Sequence, residues 1–180
     1  QNMDQQLLDT ERDALSTIVQ SVEQQISSVK YQMILLSENS LVTVALNSDI
    51  HTELLQGQNA RLQDYITHIL SANTFIDSIY LYSDINRHVF TETGYTPIEQ
   101  FEDTDWLRYL GTSQSTGYSR ALNNRYPYVY TFISPMTISG QHALIVFNIN
   151  LANFSVLSEF NAQQQQLFIL SDEGVIFSHE

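Results

Sequence analysis

Apolar side chains in the first 36 residues fall at Leu8, Leu15, Val19, Val22, Ile26, Val29, Met33 and Leu36. From Leu15 on the steps alternate between four and three, the a/d spacing of a heptad. Gln, Ser, Asp and Glu stand between them, and no Gly or Pro interrupts residues 1 to 56. The pattern predicts a single helix over residues 4 to 36, with "SENS" at 37 to 40 marking a kink or an end. Its seam has two readings. It lies on its own domain, or it also pairs with a copy of itself in a dimer. A second helix is expected from Asp49 to Ser71, burying Leu54, Leu55, Leu62, Ile66, Ile69 and Leu70, with Gly57 as its weak point.

After "SANTF" the period changes from helical to alternating. "IDSIYLYS" sets Ile79 and Leu81 on one face of a strand and Tyr80 and Tyr82 on the other. The turn "DINR" leads to "HVFTET", and the later stretches "YSRAL", "YPYVYTFIS" and "QHALIVFNIN" are also strand-like. In "YPYVYTF", Tyr126, Tyr128, Tyr130 and Phe132 share one face, and Pro127, Val129, Thr131 and Ile133 share the other. On "HALIVFNIN", Leu144, Val146, Asn148 and Asn150 share a face whose first polar group is Asn148. An internal echo stands out. "IYLYSDINRHVFT" (79 to 91) is matched by "LFILSDEGVIFS" (167 to 178): apolar strand, Ser-Asp, polar turn, apolar strand. This predicts duplicated units, the second represented by its opening hairpin.

Charge narrows the function classes. Seven cations, of which Lys30 is the only lysine, stand against twenty acids, for a net charge of −13. Nucleic-acid binding needs a basic footprint, so it is excluded, and docking on anionic lipid is disfavoured. The absence of cysteine removes disulfides, thiol catalysis and cysteine-ligated zinc. No run of 18 apolar residues crosses a membrane. Any membrane attachment is expected outside this stretch of chain.

The order of elements, together with "SIYLYSDINRHVF", "DTDWLRYL" and "ALIVFNINLANFSVL", resembles the double-Cache extracytoplasmic sensor regions of bacterial transmembrane receptors. The nearest flavour is that of Gram-positive sensor histidine kinases and membrane-anchored AraC-type regulators. The resemblance implies an α+β fold: a long N-terminal helix and a PAS-like antiparallel five-stranded sheet, with a helix inserted between strands two and three. Residues 1 to 36 would be a stalk and dimerisation helix. Residues 37 to 160 would be the membrane-distal module, and 161 to 180 would open the membrane-proximal one. The implied function is two-component signalling without catalysis in this region. A small solute is bound outside the cell, and the membrane helices shift in response. The alternative is a ligand-free scaffold that holds a dimer or binds a protein partner.

The chemistry centres on "FEDTDWLRYLG" (101 to 111), which holds the only tryptophan. Asp103 and Asp105 before Trp106 are expected to cap a short helix over 103 to 110. No nucleophile, orienting group or third ligand accompanies them, so neither catalysis nor a metal site is expected. In the family, the aromatic at this position lines the ligand cavity, which nominates Trp106. The amine-recognising branch carries an Arg-x-Trp-Tyr cluster and an aspartate on the last distal strand. Here Thr104, Leu107 and Asn148 stand in those places, so an α-amino-acid ligand is disfavoured. Tyr82, Tyr128, Tyr130 and Asn148 instead suit a neutral polar ligand or a small carboxylate. Arg120 is nominated as the charged anchor, on condition that the 103/105 acids leave it unpaired. No cofactor is implied.

Overall fold

A computed structural model describes residues 2–51, 53–122, 126–150, 153, 167–171 and 174–179. The side chains of Asn2, residues 53–55, 126–128, 167–171 and 174–179 lie outside that description. The first element, α1 (Asn2–Glu38), is one unbroken helix as its heptad pattern predicts. It ends where Asn39 turns extended and caps α2 (Ser40–Asn47), its side chain accepting the Leu41 N–H at 2.8 Å. Ser48 is extended and Asp49 accepts the His51 N–H, so the next helix, α3 (Glu53–Ala72), starts later than its sequence pattern implies.

The single α1 seam has two fates. From Val22 onward it packs on its own domain: Val22, Val29, Met33 and Leu36 are all buried. Toward the N-terminus the same stripe has nothing under it, with Leu8, Leu15 and Val19 between 48% and 64% exposed. Each buried aliphatic chain contributes roughly 1.5–3 kcal/mol, so the second half of α1 is anchored and the first is not.

The strands are β1 (Ile76–Ser83), β2 (His88–Thr91), β3 (Gly94–Pro97), β4 (Thr116–Leu122), β5 (Tyr126–Ile138) and β6 (Gln141–Ile149). All neighbours are antiparallel, in the order β3-β2-β1-β6-β5-β4. The sheet therefore has six strands, not five. The extra strand, β3, follows a tight turn in which Gly94 takes φ +134°, a backbone few other residues adopt. The expected inserted α-helix is also corrected. Between β3 and β4 the chain makes two short 3-10 turns, Ile98–Gln100 and Asp105–Tyr109. Thr104, not Asp103, occupies the N-cap of the second turn and makes no side-chain cap bond.

Alternation sorts the sheet's faces as the sequence predicts. Ile79, Leu81, Phe90, Phe132, Ile145 and Phe147 face the helices. Tyr80, Tyr82, Val89, Ile133, Leu144 and Val146 face the Trp106 segment. The helical layer is tied to the β1–β2 hairpin through the C-terminus of α2. There the Ser83 hydroxyl donates to the Leu46 carbonyl, and Asn86 Nδ2 donates to the Ala45 carbonyl at 2.8 Å. A separate two-stranded sheet pairs β7 (Leu167–Ser171) with β8 (Gly174–His179). It repeats the antiparallel β1–β2 pairing that the sequence echo implied: Ile169 opposes Phe177 as Leu81 opposes Phe90.

Candidate ligand-binding site

On the Trp106 face three strands bring polar side chains to positions that period-two alternation would otherwise fill with aliphatics. Thr131 on β5 and Asn148 on β6 are cross-strand partners, and both are fully buried. Arg120 on β4 reaches over them, its Nε donating to Thr131 Oγ1 at 2.7 Å and its Nη2 to Asn148 Oδ1 at 2.9 Å. The Thr131 hydroxyl also donates to Asn148 Oδ1 at 2.7 Å. Asn148 Nδ2 donates in turn to Ser78 Oγ at 2.9 Å, and Ser78 to Asp77 Oδ2 at 3.0 Å. The chain of bonds thus crosses four strands and satisfies its buried members.

Asp103 closes the network from above. Both of its carboxylate oxygens accept from the Arg120 guanidinium, Oδ2 from Nη2 at 2.7 Å and Oδ1 from Nη1. Each side chain is 7% exposed. Burial works against the Arg120 charge, but the hydrogen bonds and charge of Asp103 outweigh it and leave the group more firmly protonated than usual. The condition for a free anionic anchor is therefore not met: Arg120 already has its carboxylate. Tyr80 lies beside the pair. Burial raises its phenol above the ordinary value, and the nearby Asp103 carboxylate adds to the rise.

Trp106 is fully buried, with its Nε1 donating to the Asp103 carbonyl at 2.6 Å. Its ring packs on Tyr82 at 5.5 Å, Tyr80 at 6.1 Å and Phe101 at 6.5 Å between centroids. A cavity of about 270 Å³ opens next to this aromatic group, lined by Asp77, Ser78, Tyr80, Thr91, Glu92, Thr93, Phe101 and Leu122. Trp106 stands one ring behind its wall, and Arg120 and Asn148 reach it through Ser78. Tyr82 lies further along β1 and donates to Asp84 Oδ1 at 3.2 Å.

The nominated residues therefore divide. Tyr82, Trp106, Arg120 and Asn148 share one face of the sheet, whereas Tyr130 packs with the helical core on the other. The Tyr128 side chain lies outside the described residues. Sequence reasoning missed Asp77 and Ser78, and left open whether Asp103 or Asp105 pairs with Arg120; the structure gives the pair to Asp103. The available signal was the alignment of Ser78, Thr131 and Asn148 on inward-facing positions of neighbouring strands. Among the described residues no group of three His, Asp or Glu side chains could hold a metal ion.

No protein-family model matches the sequence, and no curated protein matches it either. Among solved structures, the sensor domain of the V. cholerae histidine kinase DctB superposes with a TM-score of 0.66 over 98% of this chain and 68% of that one. Sequence identity is 14%, so the likeness is one of fold. This chain shares that domain's fold. Its helical layer lies on one face of an antiparallel sheet, with loops and a cavity on the other, a PAS-like α+β arrangement. Among the described residues, no helix is long and apolar enough to cross a membrane.

Proposed function

We propose that this chain is the extracytoplasmic sensing region of a membrane-anchored signalling receptor, non-catalytic in itself, that binds a small polar solute in the cavity over Ser78 and Tyr80. The observation that supports the reading most is the continuous polar network under that cavity, on the sheet face opposite the helices. Four strands and a loop meet there, so an occupant hydrogen-bonded to Ser78 or Tyr80 is coupled to Asn148, Arg120 and Asp103. Among the described residues, Asp77 and Glu92 stand in the lining and no cation does. A neutral polar solute therefore suits this cavity better than a small carboxylate. Occupancy would reposition the sheet against α1, and the exposed stripe of Leu8, Leu15 and Val19 is where a second copy's helix would pair.

A thermal-shift screen of sugars, polyols, purines, amino acids and carboxylates tests this. A compound at 100 times its dissociation constant adds about 2.7 kcal/mol of stability. A hit should lose its effect in Ser78→Ala and retain it in Leu15→Asp. No hit, or hits indifferent to Ser78→Ala, would favour the ligand-free scaffold.

A further inference from the structure

A second cavity lies on the other side of the sheet, where α1 passes the edge strand β4. It measures about 410 Å³ and is lined by Lys30, Met33 and Ile34 of α1, Ser115 to Gly117, and Tyr130 to Ser134 of β5 without Thr131. The side chains on this face give it an apolar part of Met33, Ile34, Tyr130 and Phe132. Its polar part is the hydroxyls of Ser115 and Ser134 with one ammonium.

That ammonium belongs to the only lysine in a chain of net charge −13. Lys30 is exposed, and its Nζ sits 5.9 Å from the centroid of the Phe132 ring. Among the described residues it makes no ion pair, and no acidic side chain lines the groove. A solitary cation over an aromatic floor, with hydroxyl donors opposite, is complementary to a carboxylate that carries a hydrocarbon tail. The floor itself depends on Gly117. An added Cβ there would lie 2.5 Å from the Tyr130 ring, so only glycine lets that ring lie flat against β4.

We propose that this groove is a second ligand site, for a small monocarboxylate with an apolar tail, held by Lys30 and the hydroxyls of Ser115 and Ser134. Because Lys30, Met33 and Ile34 ride on α1 and the remainder on the sheet edge, the occupant bridges the two. It stabilises the arrangement in which helix and edge strand are this close and biases any equilibrium in which they separate. The site is independent of the cavity over Ser78.

Calorimetric titration of the chain with phenylacetate, and with phenylacetamide as its neutral isostere, tests the assignment. Phenylacetate should bind with one site per chain, and the amide about tenfold more weakly or worse, as loss of a charge-assisted hydrogen bond requires. Lys30→Gln should reduce phenylacetate affinity by a similar factor, and Lys30→Arg should largely keep it. Lys30 is exposed, so neither change threatens the fold. Equal affinity for acid and amide, unchanged affinity in Lys30→Gln, or no saturable heat up to about 10 mM would overturn the proposal. Loss of phenylacetate binding in Asp77→Asn would place the probe over Ser78 and also overturn it. So would a sedimentation coefficient altered by Lys30→Gln without probe, which would assign the groove to a second copy of the chain.

Discussion

Arg120 and Asp103 form a two-point ion pair over the buried polar network, with Nη2 donating to Oδ2 at 2.7 Å and Nη1 to Oδ1. The pair joins the edge strand β4 to the loop that carries Trp106. Its geometry gives the guanidinium a carboxylate from its own chain, so the pair acts as a structural clasp beside the cavity. Removing one partner leaves an uncompensated buried charge, which costs more than the pair itself contributes.

Asp103→Ala and Arg120→Ala should therefore each destabilise the fold by about 3–5 kcal/mol. The double change Asp103→Ala with Arg120→Ala should cost clearly less than the sum. Urea denaturation of the four proteins reads the coupling directly. Additive losses would mean that the two side chains act separately.

Alkaline pH should weaken the fold through its buried phenols. Burial, with Asp84 nearby, pushes Tyr82 from 10.0 up to about 12. Below pH 10 both folded and unfolded chains keep this proton. Between 10 and 12 only the unfolded chain releases it, so stability falls as pH rises through that window. Tyr80 and Tyr118 are shifted in the same direction by burial. Absorbance at 295 nm follows the ionisation of Tyr80, Tyr82 and Tyr118. These three should ionise late, together with loss of the tertiary circular dichroism signal.

The two halves of the α1 seam should respond differently to the same chemistry. Val29→Asp puts a carboxylate at a position 1% exposed, with no partner, and should unfold the domain or lower its melting temperature severely. Leu15→Asp falls where the stripe is 48% exposed and should leave the melting temperature within a few degrees of wild type. If the exposed stripe is a dimer contact, Leu15→Asp should also shift sedimentation toward the monomer. Equal melting temperatures for the two variants would contradict the division of the helix.

Gly117→Ala should cost about 1–3 kcal/mol, because the new methyl group meets the Tyr130 ring. In a Tyr130→Ala background the same change should cost little. A full penalty in both backgrounds would trace the effect to the backbone of β4 rather than to the ring.

Much of the architecture is legible in the sequence because it is written in period. The 3.5-residue spacing marks α1, and strict alternation assigns Ile79 and Leu81, Tyr80 and Tyr82, and Leu144 and Val146 to their faces. Period does not say which neighbour a stripe meets, so Leu15 and Val29 look alike until the domain is built. Short elements held by single contacts are equally silent. β3 depends on one left-handed glycine, and the Asp105–Tyr109 turn is too short to carry a repeat. The site is harder still. Asn148 announces itself as a polar group on an apolar face, but the partner of Arg120 comes from 17 residues away, and no spacing encodes that meeting. The tyrosine face of β5 makes Tyr130 a companion candidate for Trp106, but alternation does not say which face the Trp106 loop covers, and the sheet stands between them.

The divided helix has a mechanical consequence. The core grips α1 only from Ile18 onward, and the preceding residues extend about 24 Å from it at 1.5 Å per residue. The helix is thus a lever with its fulcrum at one end. A tilt of about 5° at the gripped part carries the Met3 end by about 2 Å. Shifts of that kind at the fulcrum are within reach of repacking around Met33 and Ile34, with no change in the pairing of any strand. The displacement at the tip grows with distance while the rearrangement in the core stays small.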